Sequence, residues 1–224
     1  MKVDIHIHSK YSYDSVMQPK YIIKFAKLKG LSVISITDHN SMNIYLREFN
    51  NYNLRKIKEK TGIIIIKGIE VKTNFGDVIG LFLEDNITSR DFFEVVDQIR
   101  DQDGIVVLPH PYRRSVKPEN IMPYIDIVEV LNGRSRNYEN TLALKLAEKY
   151  NKPTISGSDA HIYWEIGKVY TKFSIVEFID DIDELKRCLL KENRIVYGHP
   201  LPFYLTHGIS YAVGRVKRKL GDWK

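Results

Sequence analysis

The chain has 224 residues, 43% of them hydrophobic, with 34 Lys and Arg against 28 Asp and Glu for a net charge of +6. That length and apolar content support one substantial buried core and exclude a disordered chain, which could not offset its own ordering entropy. No apolar run approaches the ~20 residues that a bilayer crossing needs, and Asp4 and His6 stand where a secretory signal would be apolar, so a cytoplasmic protein away from membranes is expected. In chain order, 3–8 reads as a strand, 19–29 as a helix ended by Gly30, 31–37 as a second strand, and 41–60 as a helix stopped near Gly62. A third strand over 63–70 is followed by a turn at 74–77, a strand over 78–83, and a helix from an N-cap at Ser89 to about Asp101. Further strands are expected at 105–108, 125–131, 153–156, 169–173 and 194–197, with helices at 138–150 and 180–190.

Strands alternating with helices predict a barrel of parallel strands with the helices outside. Residues 1–199 read as one domain and 200–224 as a basic extension, packed on the barrel or trailing it, entered through Pro200 and Pro202. In that extension Arg215, Lys217, Arg218, Lys219 and Lys224 face only Asp222, a pattern read as a solvated helix face rather than a nucleic-acid contact. The single cysteine, Cys188, lies in a helical stretch with no ligand partner beside it and reads as core filling.

The position of the polar residues is the informative feature. Of seven histidines, His6, His8, His39, His110 and His161 stand at or just past the carboxyl end of an expected strand, as do Glu70 and Asp159. In parallel α/β barrels that end is where sites are assembled from several strands. Residues two apart share a strand face, so His6 and His8 should project together while Ile5 and Ile7 point the other way. Gathering so many imidazoles and carboxylates at one mouth is costly unless a cation satisfies them, and that donor mixture suits zinc, manganese or iron better than magnesium. His199 and His207 fall outside the pattern and read as structural or surface residues.

Five short segments, His6-Ile7-His8-Ser9, Ile36-Thr37-Asp38-His39-Asn40, Gly68-Ile69-Glu70-Val71, Leu108-Pro109-His110-Pro111 and Gly157-Ser158-Asp159-Ala160-His161, carry a resemblance in their order and spacing. Together they resemble the PHP (polymerase and histidinol phosphatase) family of metal-dependent phosphoesterases, over about residues 1–175. The resemblance implies a distorted (β/α)7 TIM-like barrel with two or three divalent metal ions at its C-terminal mouth. It implies that His6, His8, Glu70 and Asp159 hold one metal, with Glu70 bridging to another. It implies that Asp14, His39 and His161 hold a second, and that His110 with Glu70 holds a third. Glu70, Asp159 and His161 are the expected catalytic members, and Asp38 stands behind the ligands, orienting an imidazole. Relatives often have histidine at position 14, where an acid still ligates, and histidine where Asp77 stands, so Asp77 is either a substitute ligand or a loss from the third site, with the former expected.

The implied chemistry is hydrolysis of a phosphate ester by a metal-activated hydroxide, with no protein nucleophile. Arg113 and Arg114 follow His110 directly and are the first candidates to grip a phosphate in bidentate fashion; Arg134 and Arg136, in the 132–136 loop, are the second. A small phosphorylated metabolite or nucleotide is the expected substrate. Two alternatives stand beside it: an exonuclease acting on nucleic-acid ends, and a non-catalytic metal-binding platform.

Overall fold

The computed structural model describes residues 1–114, 117–174, 181–191 and 193–220, leaving the side chains of Arg114 and Phe203 undescribed. Its strands are β1 (Lys2–Ile7), β2 (Val33–Ile36), β3 (Ile64–Thr73), β4 (Gly76–Leu81), β5 (Ile105–Leu108), β6 (Ile127–Asn132), β7 (Thr154–Gly157), β8 (Val169–Phe173) and β9 (Arg194–Gly198). The helices are α1 (Pro19–Leu28), α2 (Asn43–Arg47), α3 (Asn51–Thr61), α4 (Phe92–Arg100), α5 (Pro111–Arg114), α6 (Asn137–Lys149), α7 (Ile182–Lys191) and α8 (Phe203–Leu220). None of the described helices is long and apolar enough to cross a membrane.

One sheet runs in the order β7-β6-β5-β4-β3-β2-β1-β8-β9. A parallel bridge between Ile7 and Ala160, with His8 N–H donating to Ala160 O at 2.8 Å, joins β1 to the segment after β7 and nearly closes the first seven strands into a barrel. The expectation of parallel strands throughout needs correction. β4 is antiparallel to both β3 and β5, β8 is antiparallel to β1, and β9 is antiparallel to β8. The cause is local: Thr73 pairs with Gly76, so only Asn74 and Phe75 connect β3 to β4. Such a connection makes a hairpin and cannot make the crossover that a parallel pair requires.

Two helix boundaries also differ from expectation. The 41–60 stretch divides into α2 and α3, because Phe49 turns into the core and Asn50 caps α3, its side chain accepting from Asn53 N–H. α4 is capped by Asp91, which accepts from Phe93 and Glu94 N–H, while Ser89 Oγ bonds to Glu94 from outside the helix.

The core is layered. Val3, Ile5, Val33, Ile66, Ile79, Ile105, Val107, Ile127 and Ile155 fill the barrel interior, joined by Leu185, Cys188 and Leu189 of α7. Cys188 is therefore a packing residue. Ile7, Ile34, Ile36, Ile69, Val71 and Val128 instead pack outward against apolar residues of α1, α4 and α6.

The separation of Ile5 from Ile7 corrects the simple alternation. Val3 and Asp4 pair with Val33 and Ile34, yet Ile7 pairs with Ile36, so β1 holds one extra residue between Asp4 and Ile7. Such a bulge turns the strand. Below it Val3 and Ile5 face inward; above it Ile7 faces out, and His6 and His8 face the mouth. A like irregularity in β6, between Glu129 and Leu131, lets both Glu129 and Asn132 point to the same mouth.

Candidate metal centre

At the C-terminal ends of these strands the chain brings eight of its expected residues together. Three groups of potential ligand atoms lie within 4.8 Å of one another: His6, Glu70 and His110; His6, His8 and Asp159; and His8, His39 and His161. Asp14 joins the last, its two oxygens lying 3.5 Å from His39 Nε2 and 3.1 Å from His161 Nε2. Backbone strain accompanies the assembly, since His110 and Asp159 both take positive φ, +27° and +52°, which non-glycine residues adopt at a cost held in place by their surroundings.

Glu70 sits at the centre. Its Oε1 lies 3.0 Å from His110 Nε2 and 3.6 Å from His6 Nε2, and its Oε2 lies 2.8 Å from His39 Nδ1 and 3.5 Å from His8 Nε2. One carboxylate thus faces two sets of imidazoles. Asp159 Oδ1 approaches His8 Nε2 at 3.2 Å and His6 Nε2 at 3.5 Å, while its Oδ2 accepts from Arg113 Nη2 at 2.6 Å.

For His6, His8 and His161 the far side of the imidazole fixes its tautomer. His6 Nδ1 donates to Glu129 Oε1 (3.0 Å), since a carboxylate only accepts. Ser12 Oγ gives its proton to Asp38 Oδ1 (2.6 Å) and so accepts from His8 Nδ1 (3.0 Å). Asp38 therefore orients His8 through Ser12, and it is further held by Ser9 N–H and Oγ. His161 Nδ1 faces both Asp159 O (2.8 Å) and Arg134 Nη1 (2.5 Å). A carbonyl only accepts and a guanidinium only donates, so one nitrogen cannot bond both. The carbonyl contact has ordinary length and leaves Nε2 bare toward Asp14. In consequence the buried Nε2 atoms of His6, His8 and His161, with Glu70 Oε2 and Asp14 Oδ1, find no hydrogen-bond donor. Buried lone pairs without donors, converging from the ends of β1, β3 and β7, fit a divalent cation.

Electrostatics reinforce that fit. Burial opposes charge at every one of these groups, but at Glu70 the neighbouring His39 and His6, and at Asp159 the neighbouring Arg113 and His6, hold the carboxyl well below its usual range. Asp14 is held down likewise by His161 and His39. His6 and His39 are pushed the other way, well above the ordinary imidazole value, because Asp159, Glu129 and Glu70 surround the first and Glu70 and Asp14 the second, outweighing burial. His8 lies well below, through burial and through His161 and His39.

The remaining expectations fall as follows. Asp77, opposite Lys72 in the β3–β4 pairing, belongs to none of the three ligand groups. The Arg114 side chain, with Asp222 and Lys224, lies outside the described residues. Arg134 is buried, 4% exposed, and spends Nη2 on Thr206 O (2.7 Å) and Ser210 Oγ (2.8 Å) of α8. Lys217 of the same helix donates to Lys10 O and Ser12 O. Together these contacts bring α8 over the mouth, where a cavity of about 470 Å³ is lined by Tyr13, Asp14, His39, Arg113, Arg134, Asp159 and His161 on one side and by His207, Ser210, Tyr211, Gly214 and Arg218 on the other.

Three residues escaped the sequence reading. Glu129, fully buried, orients His6 and also accepts from His110 N–H (2.8 Å) and Asn132 Nδ2 (2.9 Å). Its signal was an acid inside a β-branched strand, where no surface is available. Asp4 accepts from Ser158 and Gly167 N–H, and burial lifts its carboxyl to about 6 against those bonds. His207, read as a structural or surface residue, lines the cavity.

This arrangement is an α/β barrel whose strand ends hold a histidine and carboxylate pocket of the metal-binding kind. Residues 137–193 match a family model described as PHP-associated. The chain is 38% identical to uncharacterized protein MJ0417 of Methanocaldococcus jannaschii, over 98% of this chain and 99% of that one. It is 35% identical to uncharacterized protein MJ1587 of the same organism, over 64% of this chain and 90% of that one. Among solved structures, a two-domain protein of Bacteroides vulgatus containing a predicted PHP-like metal-dependent phosphoesterase superposes with a TM-score of 0.73 at 22% identity, covering 89% of this chain. The chain spans 65% of that protein's length. The chain belongs to the PHP family.

Proposed function

We propose that this protein is a metal-dependent phosphoesterase that hydrolyses a small phosphorylated substrate. The observation that carries this reading is Glu70, whose two oxygens face separate sets of imidazoles, with the Nε2 atoms of His6 and His8 aimed into the same space without a donor. Divalent ions bound there, two or three of zinc, manganese or iron, would supply Lewis acidity and lower the pKa of a water for attack on phosphorus.

The chain's own residues account for the rest. His6, His8, Glu70 and Asp159 form one ligand set and Asp14, His39 and His161 a second, Glu70 is shared, and His110 with Glu70 offers a third position. Glu129 and Asp38 hold imidazole protons on the nitrogens away from the site, which keeps the opposite nitrogens free to ligate. Arg113, at the rim beside Asp159, offers the guanidinium that faces the phosphoryl oxygens. Residues 1–199 are the catalytic domain, and the 200–224 extension walls its mouth through α8. That wall supports a small substrate rather than a polynucleotide end.

The test is metal analysis of the purified protein, followed by release of phosphate or p-nitrophenol from model monoesters and diesters with zinc, manganese and magnesium restored in turn. Turnover that depends on zinc or manganese is expected, with a labelled oligonucleotide left intact. No turnover of any ester with every metal tried would leave only a binding platform.

A further inference from the structure

The cavity above the ligand cluster has two unlike walls. One is the cluster with Tyr13 and Arg113, and the other is α8. Its volume, about 470 Å³, lies within the range that encloses whole small-molecule ligands. A phosphoryl group at the cluster leaves most of that space for the rest of the substrate, which must then lie against α8.

Three guanidinium groups face the cavity, and they are not equivalent. Arg113 is engaged by Asp159 Oδ2 (2.6 Å) and Asn132 Oδ1 (3.2 Å). Arg134 is buried and occupied by Thr206 O and Ser210 Oγ. Arg218 differs: its Nε donates to Gly214 O (3.2 Å), one turn earlier in α8, and among the described residues no carboxylate pairs with it. The cavity's acids, Asp14 and Asp159, both lie on the opposite wall and are already matched by His161, His39 and Arg113. Among the described residues, the α8 side of the pocket therefore presents a positive charge with no carboxylate partner and with planar, bidentate geometry, suited to an oxyanion.

We infer that Arg218 is a specificity-determining residue that selects phosphate esters carrying a second anionic group, remote from the ester being cleaved. This rests on the phosphoesterase reading, and it names the substrate class for that site: doubly anionic metabolites rather than phosphate esters of neutral alcohols. Because Arg218 is exposed, solvent screens the pairing, and its effect is on binding preference and not on the chemical step.

The inference is tested on the full-length, metal-loaded protein by calorimetric titration with two non-hydrolysable probes, methylphosphonate and phosphonobutyrate, which share the phosphonate but differ in the remote carboxylate. The native protein should bind phosphonobutyrate about two- to fivefold more tightly, the size expected of one solvent-screened charge pair. Arg218→Gln should bring the two affinities together, whereas Lys219→Gln, on the exposed part of α8 outside the cavity, should preserve the gap. Equal affinities in the native protein, or a gap that survives Arg218→Gln, would overturn the inference while leaving the phosphoesterase reading standing. If neither probe binds and p-nitrophenyl phosphate is not hydrolysed, the phosphoesterase reading fails and takes this inference with it.

Discussion

Glu129 Oε1 lies 3.0 Å from His6 Nδ1, a contact between residues 123 positions apart that sets which imidazole nitrogen is free. Glu129→Gln replaces the charged acceptor by a neutral amide and weakens the hold on that tautomer. We expect metal affinity to fall about 10- to 100-fold, the usual effect of losing a partner behind a ligand, with far-ultraviolet circular dichroism near native. Competition with a calibrated chelator measures it; unchanged affinity would mean that Glu129 is structural only.

Gly157 stands between those two side chains. A Cβ built there would sit 2.3 Å from Glu129 Oε1 and 2.4 Å from His6 Cβ, so the strand can hold no side chain at this point. Gly157→Ala should lower stability by about 1–3 kcal/mol, as overpacking in a rigid interior does, and should weaken metal binding as well. Urea unfolding of the metal-free and metal-loaded forms separates the two effects, and an unshifted midpoint would show that the barrel yields here.

His8→Ala removes a group that belongs both with His6 and Asp159 and with His39 and His161, and Asp159→Ala removes the carboxylate of the first of these sets. Either change should abolish turnover of a model ester while leaving the circular dichroism near native. Retained activity in either variant would refute the site.

The metal-free protein should also report the crowding of charge through pH. His6 and His39 have folded values raised above their ordinary 6.5. Their contribution to stability is therefore complete below about 6.5 and is lost as pH rises through the raised folded values. Thermal unfolding of the apo form should move to lower temperature between neutral and alkaline pH. Because a bound ion takes the place of those protons, metal affinity should rise over the same interval, with protons released on binding. An apo protein whose Tm rises with pH would contradict the assignment.

Much of the centre was legible because strand ends are easy to find and histidines at several of them are informative together. The residues behind the ligands were harder to see, since Glu129 and Asp4 act through contacts that link positions 123 and 154 apart in the chain. Parity along β1 paired His6 with His8 correctly and misplaced Ile5, because nothing in six residues marks a bulge. The turn at 74–75 was recognised, but its shortness, which makes β4 antiparallel, was outweighed by the general alternation of strands and helices. Arg134 was a second candidate to grip a phosphate from its loop position; in the fold it lines the cavity with its Nη2 held by α8.

The dependence of the pocket on α8 has a consequence for the nascent chain. Every residue of the ligand cluster has been synthesised once His161 is added, whereas Arg218 comes 57 positions later (218 − 161). On the proposed reading, the groups that would hold metal are thus all made before the wall that would grade what enters the mouth.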